Sequence, residues 1–255
     1  MRISGPALRR ATVIPWSSPV PAFGDLASSH VATLGLNPSN REFVDEDGNE
    51  LNGSVRRFHT LRSLRLRSWQ EATSRDFDLI EEKCRQYFHG NPYDMWFRKL
   101  ERIISNTGAS YYAGSACHLD LIPYATASKW TNLTRAQREG LVAAAGDTLG
   151  MLLRSSSIRL LVLNGRSVVE RFEKASGSRL QHRVFPGWAL PRRSRADVQG
   201  VGYAGEVSAV AGIDLGRRIS VLGFNHNIQS SFGVSRAVSE AITQWIGRSA
   251  NRVLQ

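Results

Sequence analysis

A chain of 255 residues is long enough for one large domain or two small ones and can bury a core of its own. Its 42% hydrophobic and 22% charged residues exclude disordered and fibrous classes, and no apolar run approaches the roughly 20 residues of a membrane helix. Lys and Arg number 33, of which 29 are Arg, against 22 Asp and Glu, a net charge of +11 that points to a polyanionic partner. The N-terminus has no apolar stretch ahead of a small-residue cleavage site, so a soluble, cytoplasmic, monomeric protein without a membrane partner is expected. Cys84 and Cys117 form no C-x-x-C motif, which argues against a disulfide framework, a zinc site or an iron–sulfur cluster. Neither a metal nor a cofactor is expected.

Residues 1–28 contain Pro, scattered Arg and small polar residues, the composition of an irregular arm laid on the surface. His30 to Leu36 is a short apolar run ended by Asn37-Pro38-Ser39-Asn40, the pattern of a buried strand entering a loop. A basic insertion spans about 44–75. It opens on the acids Asp45, Glu46, Asp47 and Glu50, then carries Arg56, Arg57, Arg62, Arg65 and Arg67 over 54–69 with no acid. Phe58, Leu61, Leu64 and Trp69 recur there at helical spacing and predict an arginine-faced helix. Helices are also predicted at 77–88, 94–105, 134–153 and 233–247. Three further apolar runs, Cys117–Tyr124, Ile158–Asn164 and Ile219–Asn225, alternate with those helices and read as parallel strands. The stretch 178–217 reads as a basic loop with a strand pair near 201–212. The fold class is therefore α/β, a three-layer α/β/α sandwich around a short, mostly parallel four-stranded sheet, with residues 29–255 forming one domain.

Open parallel sheets bind ligands beyond the carboxyl ends of their strands, so polar residues that end apolar runs are the candidates for chemistry. They are Asn37, Asp120 and His226, in Gly35-Leu36-Asn37-Pro38-Ser39, His118-Leu119-Asp120-Leu121 and Gly223-Phe224-Asn225-His226.

Those segments resemble motifs of the uracil-DNA glycosylase superfamily. A strand followed by Gly-x-Asn-Pro is similar to its first motif, and a strand leading into His226 to its second. Asn227 to Ser231 departs from the family's Pro-Ser-Pro-Leu-Ser. Phe88-His89-Gly90-Asn91-Pro92-Tyr93-Asp94-Met95-Trp96 looks like the aromatic-to-Trp stretch of the mismatch-specific branch, Cys117–Tyr124 like the base-reading strand, and Leu160–Gly165 like the strand before the last helix. The matches span 30–246, with a spacer between Ser39 and Phe88 longer than the family usually has. The resemblance implies a monofunctional DNA glycosylase that flips a base and leaves an abasic site. Within it Asn37 and His226 are catalytic, while Phe88, Leu36, Ser39, Asn225 and Asp120 contact the base. Gln229 and Ser230 meet the DNA; independently of the resemblance, Arg56, Arg57, Arg192 and Arg193 are candidates for phosphate contacts, a solvated basic face being the other reading of the arginines at 56–67.

The chemistry of these residue types agrees. Breaking the bond between C1′ and a pyrimidine N1 builds positive charge on the sugar and negative charge on the base. Asn37 can hold a water beneath the sugar or cap its own loop; His226 can donate to the base oxygen O2 or serve as a satisfied structural His. Asp120 stands where the family usually carries an amide. Cytosine presents N4–H2 and N3, the reverse of uracil's O4 and N3–H, and a protonated carboxyl can accept at one oxygen and donate from the other. Asp120 can equally cap a helix or pair with a buried Arg. Ser39 replaces a Tyr whose ring closes the space beside C5, which leaves room for a 5-substituent or is a common turn residue. Phe88 can stack on the base or belong to the ordinary core, and Tyr87, Tyr93 and Trp96 lie near enough in sequence to take the stacking role instead. The expected substrate is thus a 5-modified cytosine in DNA, and the chain looks like bacterial antiviral glycosylases acting on glucosylated hydroxymethylcytosine of phage genomes. Repair of uracil or another deaminated base is the alternative, and a non-catalytic reader of modified bases is the second.

Overall fold

A computed structural model describes residues 12–192, 196–229 and 233–254. Six strands form one mixed sheet: β1 (Val31–Gly35), β2 (Ala116–Asp120), β3 (Leu160–Asn164), β4 (Gln181–Leu190), β5 (Val198–Val210) and β6 (Ile213–Phe224). Their spatial order is β2-β1-β3-β6-β5-β4. The first four run parallel and correspond to the four apolar runs; β5 and β4 continue the sheet antiparallel. Every residue of β1, β2 and β3 is buried, as strands covered on both faces must be.

The α/β class holds, but the sheet has six strands where four were expected. The strand pair near 201–212 is a hairpin of two long strands turning at Ala211-Gly212, and β4 lies where a basic loop was expected. β4 escapes sequence reading because it is an edge strand: six of its ten residues are exposed, and it contains Pro186. Pro is tolerated there because the ladder to β5 shifts register between Phe185 and Leu190.

Among the described residues six helices flank the sheet: α1 (Ser74–Arg85), α2 (Asp94–Ile104), α3 (Arg135–Ala145), α4 (Thr148–Arg154), α5 (Arg166–Ser176) and α6 (Arg236–Leu254). Capping boxes start α1 at Thr73/Asp76 and α3 at Thr134/Gln137. The single helix expected over 134–153 is two, broken at Gly146, whose φ of 54° ends α3. On one face of the sheet, Phe97, Leu100, Ile103 and Ile104 of α2 share a core with Val238, Ile242, Ile246 and Ala250 of α6. On the other, Leu149 and Leu153 of α4 and Val168, Val169 and Phe172 of α5 pack under the sheet.

The arginine-faced helix expected over 54–69 does not form. Short 3₁₀ turns occupy Gly53–Val55 and Trp69–Glu71, Thr60 bridges to Ser17, and Arg65 has a φ of 57°. Thr60 and Ser63 exchange side chain–backbone hydrogen bonds of 2.9 and 3.1 Å, a local alternative that competes with helix. The apolar positions still reach the core. Phe58 stacks on Tyr87 with ring centres 5.0 Å apart, and Phe23 meets both rings edge-on.

Nor is the N-terminal segment a surface arm where it is described. Ile14, Val20, Ala22 and Phe23 are buried. Phe23 exchanges two 2.9 Å backbone hydrogen bonds with His118 and so closes the free edge of β2. Among the described residues no helix is long and apolar enough to cross a membrane.

Candidate active site

The chain leaves β1 toward β2 on one side and leaves β3 toward β6 on the other. The carboxyl ends of β1 and β3 therefore border the switch point at which such sheets bind ligands. Pairing sets Gly35 opposite Asp120, Leu34 opposite Leu163 and Asn164 opposite Phe224. With side chains alternating along each strand, Asp120, Gly35 and Asn164 fall on the face of the sheet covered by α2 and α6. The sequence puts two buried polar residues there with a glycine between them. A Cβ on Gly35 would come within 2.4 Å of Asp120 Oδ1 and 3.0 Å of His118 Nε2, so only glycine lets the carboxyl occupy this space.

Period-two alternation also puts His118 beside Asp120, and Thr33 opposite His118. His118 Nδ1 lies 2.7 Å from Thr33 Oγ1, which hydrogen-bonds the Tyr111 hydroxyl, and His118 Nε2 lies 3.4 Å from Asp120 Oδ1. One proton order runs along the first two links, Tyr111 donating to Thr33 and Thr33 to His118 Nδ1, which leaves the Nε2 side of the ring toward Asp120. The chain fixes the carboxyl from behind.

A second carboxyl is buried nearby. Ser39 accepts from Arg41 N at 3.2 Å and caps a 3₁₀ turn over Asn40–Glu42, which points Glu42 inward. Glu42 Oε2 accepts from the Tyr87 hydroxyl at 2.7 Å, and Tyr87 Oη accepts from Tyr93 N at 2.9 Å. Burial pushes the Glu42 carboxyl up to about 7. The Tyr87 bond and the Arg57 charge act against this, while the nearby charge of Asp120 adds to it. Ser39 itself is exposed and bonded within its turn.

Asn37 follows β1 and is half-buried. Its Nδ2 donates to Pro38 O at 3.1 Å, Tyr124 O at 3.4 Å and Thr126 Oγ1 at 3.0 Å. Thr126 spends its own hydroxyl proton on Ser128 O at 2.7 Å, so all three neighbours are acceptors. That orientation turns the carboxamide oxygen away from them, the oxygen that would accept from a water. Leu36 points to the opposite face, against the core under α4 and α5, so its side chain does not join the base site expected for it.

At the end of β6 the structure corrects two expectations. Asn225 Nδ2 donates to Gln199 O at 2.7 Å and its Oδ1 accepts from Val201 N at 2.8 Å; it ties β5 to β6 rather than facing a ligand. His226 is buried, and its Nε2 lies 2.7 Å from Trp188 O, a carbonyl set free by the register shift in β4. Burial lowers the imidazole's pKa, with the Trp188 bond opposing. A neutral ring that gives Nε2–H to Trp188 presents only an acceptor elsewhere, so His226 is not the base-stabilising donor in this arrangement.

A different pair occupies that edge. Asn164 Nδ2 donates to Gln229 Oε1 at 2.6 Å, while Asn164 Oδ1 and Gln229 Nε2 are buried with no hydrogen-bond partner among the described residues. Whichever way the two amides are turned, the pair leaves one donor and one acceptor over. Buried polar groups are nearly always satisfied, so this surplus points to a ligand or solvent partner.

Other expected contacts do not converge here. Phe88 is core. Its ring stacks on Tyr111 at 4.7 Å and lies against Gly24, beside Ala116 at the start of β2, about 13 Å of strand from Asp120. Trp96 lies edge-on to His118 at 4.9 Å and is only partly buried, while the fully buried Phe23 and Phe97 meet the same ring at 5.3 and 5.4 Å. Arg57 donates from Nε to Asn91 O at 2.8 Å and from Nη1 to Arg41 O at 2.6 Å and lies over the Tyr93 ring, contacts that hold its guanidinium against the protein. Arg57→Ala should therefore lower stability by about 1.5–3 kcal/mol in denaturant titration and leave the salt dependence of DNA binding unchanged. Arg56 is half-buried, with an Nε that has no partner among the described residues. Arg192 is exposed on the β4–β5 connection, its backbone N–H bonded to Asp197 at 3.2 Å. Arg193 and Ser230 lie outside the described residues. Cys84 and Cys117 are free and buried, their thiols pushed up to about 12 by burial.

Thr33, His118, Glu42 and Asn164 are the polar residues that sequence reading did not assign. For His118 and Thr33 the signal existed, since each lies two residues before a strand-end position and so shares its face. For Glu42 no comparable signal is visible. The chain matches no family model and no curated protein.

Proposed function

We propose that this protein is a DNA glycosylase that takes a flipped, 5-modified cytosine and hydrolyses its bond to C1′, leaving an abasic site. One observation carries the reading. An amide whose oxygen is turned out by three acceptors, Asn37, follows β1 at the switch point, while a buried carboxyl, Asp120, ends the adjacent β2. Asn37 holds the water beneath the sugar. Water adds to C1′ and gives up a proton to solvent, the electron pair of the broken bond goes to the base, and the departing anion takes a proton from solvent. Asp120 reads the cytosine edge with one oxygen, His118 holding it from behind. The donor for the base's developing charge comes from the Asn164–Gln229 amide pair in place of His226. Exposed Ser39 leaves the C5 side unobstructed, which suits a bulky substituent and anti-phage defence against hypermodified DNA.

The test is incubation with duplexes that each carry one candidate base, namely uracil, cytosine, 5-methylcytosine, 5-hydroxymethylcytosine and its glucosylated form, followed by alkali to cut abasic sites. Scission is expected only with the 5-substituted cytosines. Asp120→Asn should reduce that release by at least tenfold and move preference toward uracil, because a buried edge built for one pattern leaves groups unpaired against the other. Scission at uracil alone would assign deaminated-base repair. Tight binding of modified DNA without scission would assign a non-catalytic reader, and either outcome overturns the proposal.

A further inference from the structure

The loop that clamps Asn37 continues into a second feature. Thr126 fixes the Asn37 amide, and four residues on, within about 14 Å of chain, Trp130 forms one wall of a groove of about 390 Å³ between that loop, α3 and α5. Arg138, Arg171 and Lys174 line it, together with Ser167 and Glu170. The Arg171 guanidinium stands 4.7 Å from the centre of the Trp130 ring and that of Arg138 stands 5.9 Å from it. Arg138 is aimed by the carbonyls of Trp130 at 3.2 Å and Thr131 at 3.0 Å, contacts that position the guanidinium without neutralising it.

The nearby acids are already engaged. Glu170 pairs with Arg166 at 2.7 Å and Glu139 with Arg135 at 2.7 Å, each one helical turn away. Among the described residues no carboxylate lies within ion-pair distance of Arg138, Arg171 or Lys174. Like charges gathered in a partly desolvated groove repel one another: Arg171 is shifted down by burial first and by Arg138 second, with the charges of Glu170 and Glu139 acting the other way without cancelling the shift. An anion in the groove would relieve that repulsion. Arg beside an aromatic wall suits a chain that offers phosphates and flat bases in alternation.

We propose that this groove seats the phosphodiester backbone of a nucleic-acid strand, with Arg171 and Lys174 on phosphates and Trp130 against a base or sugar. The inference extends the proposed function by naming where the strand leaves the site, yet it does not need base excision to be true. Its test uses unmodified DNA, on which no excision occurs. Binding of a fluorescently labelled oligonucleotide is followed by anisotropy over a series of KCl concentrations for the full-length protein, for Arg171→Gln/Lys174→Gln, and for Lys99→Gln/Arg252→Gln as a charge-matched control elsewhere on the surface.

The groove variant should lose at least tenfold in affinity, and its log–log salt slope should fall by roughly 1.4–1.8, two phosphate contacts' worth. The control should keep at least most of the slope. Thermal unfolding of all three proteins is recorded to exclude misfolding. Equal losses in groove and control variants, an unchanged slope, or no binding of unmodified DNA by the unsubstituted protein would each overturn the proposal. Displacement of the oligonucleotide by millimolar inorganic phosphate or a nucleoside monophosphate as readily as by unlabelled DNA would assign the groove to a small phosphate ligand and also overturn it. Intact groove binding with no abasic product from any base would count against the glycosylase reading alone.

Discussion

Asn37→Ala is expected to slow single-turnover base release by roughly 10²-fold while DNA affinity stays within a factor of two. The expectation follows from what its amide does. Nδ2 is committed to Pro38 O, Tyr124 O and Thr126 Oγ1, so the side chain spends no donor on substrate. Its remaining contribution is a fixed acceptor for water. A positioned water matters only once C1′ begins to carry charge, so its loss should appear in the chemical step and not in binding. Asn37→Asp is the informative companion. A carboxylate cannot donate to three acceptors, so the clamp with Thr126 must loosen even though a stronger base is introduced. If water activation limits the rate, Asn37→Asp should recover part of the activity lost in Asn37→Ala; if the clamp limits it, Thr126→Val should reproduce most of the Asn37→Ala loss. Wild-type single-turnover rates in Asn37→Ala would remove Asn37 from the mechanism, and a matching loss of folded protein in urea titration would make it a structural residue.

The contrast between Asn37 and Asn225 shows what sequence can deliver. Both are polar residues at the end of an apolar run, and the sequence marks them alike. Asn225 proves to be spent on the backbone of β5, because β6 has an antiparallel neighbour that needs tying at that point. That neighbour belongs to a hairpin whose edge strand lacks apolar periodicity, so the contact was invisible. His226 is explained by the same hairpin, through Trp188. The four parallel strands were legible because burial on both faces demands continuous apolar runs. In 54–69 the apolar spacing reported which residues are buried and not what backbone carries them. Phe58 and Trp69 reach the core from turns held by Thr60, Ser63 and Arg65. Phe88 was misplaced for a related reason: its neighbours in sequence suggested a site, but the 3₁₀ turn at Tyr87–His89 directs it to the amino end of β2. Gly35 alone gave no hint of its role, which depends on a partner 85 residues away across the β1–β2 pairing.

Glu42→Gln should make the protein more stable at pH 8 than the unsubstituted chain, by an amount approaching 3 kcal/mol, and nearly isostable with it below pH 4.5. The carboxyl moves from an ordinary 4.5 to about 7 in the folded state, a shift driven by complete burial. Between those values the folded protein holds a proton that the unfolded chain has released. Stability from this group is therefore full below 4.5, declines as pH rises through the window, and is flat above about 7. A displacement of about 2.5 units corresponds to roughly 3 kcal/mol. Gln keeps an oxygen for the Tyr87 hydroxyl and introduces no charge, so it removes the pH-dependent cost without opening a cavity. Asp45, Asp76 and Asp94, whose carboxyls are held below their ordinary value, tilt the pH profile the other way. They do so equally in both proteins, so the difference between two urea-denaturation series from pH 4 to 8 isolates Glu42. Parallel profiles would show that the carboxyl is solvated or already compensated. The same variant tests coupling to the site. The charge of Asp120 helps raise Glu42, so the ionisation of Glu42 near neutrality changes the field at Asp120, the residue proposed to read the base. The rate of base release by the unsubstituted protein should then show an inflection near pH 7 that Glu42→Gln abolishes, whereas an inflection common to both would belong to another group.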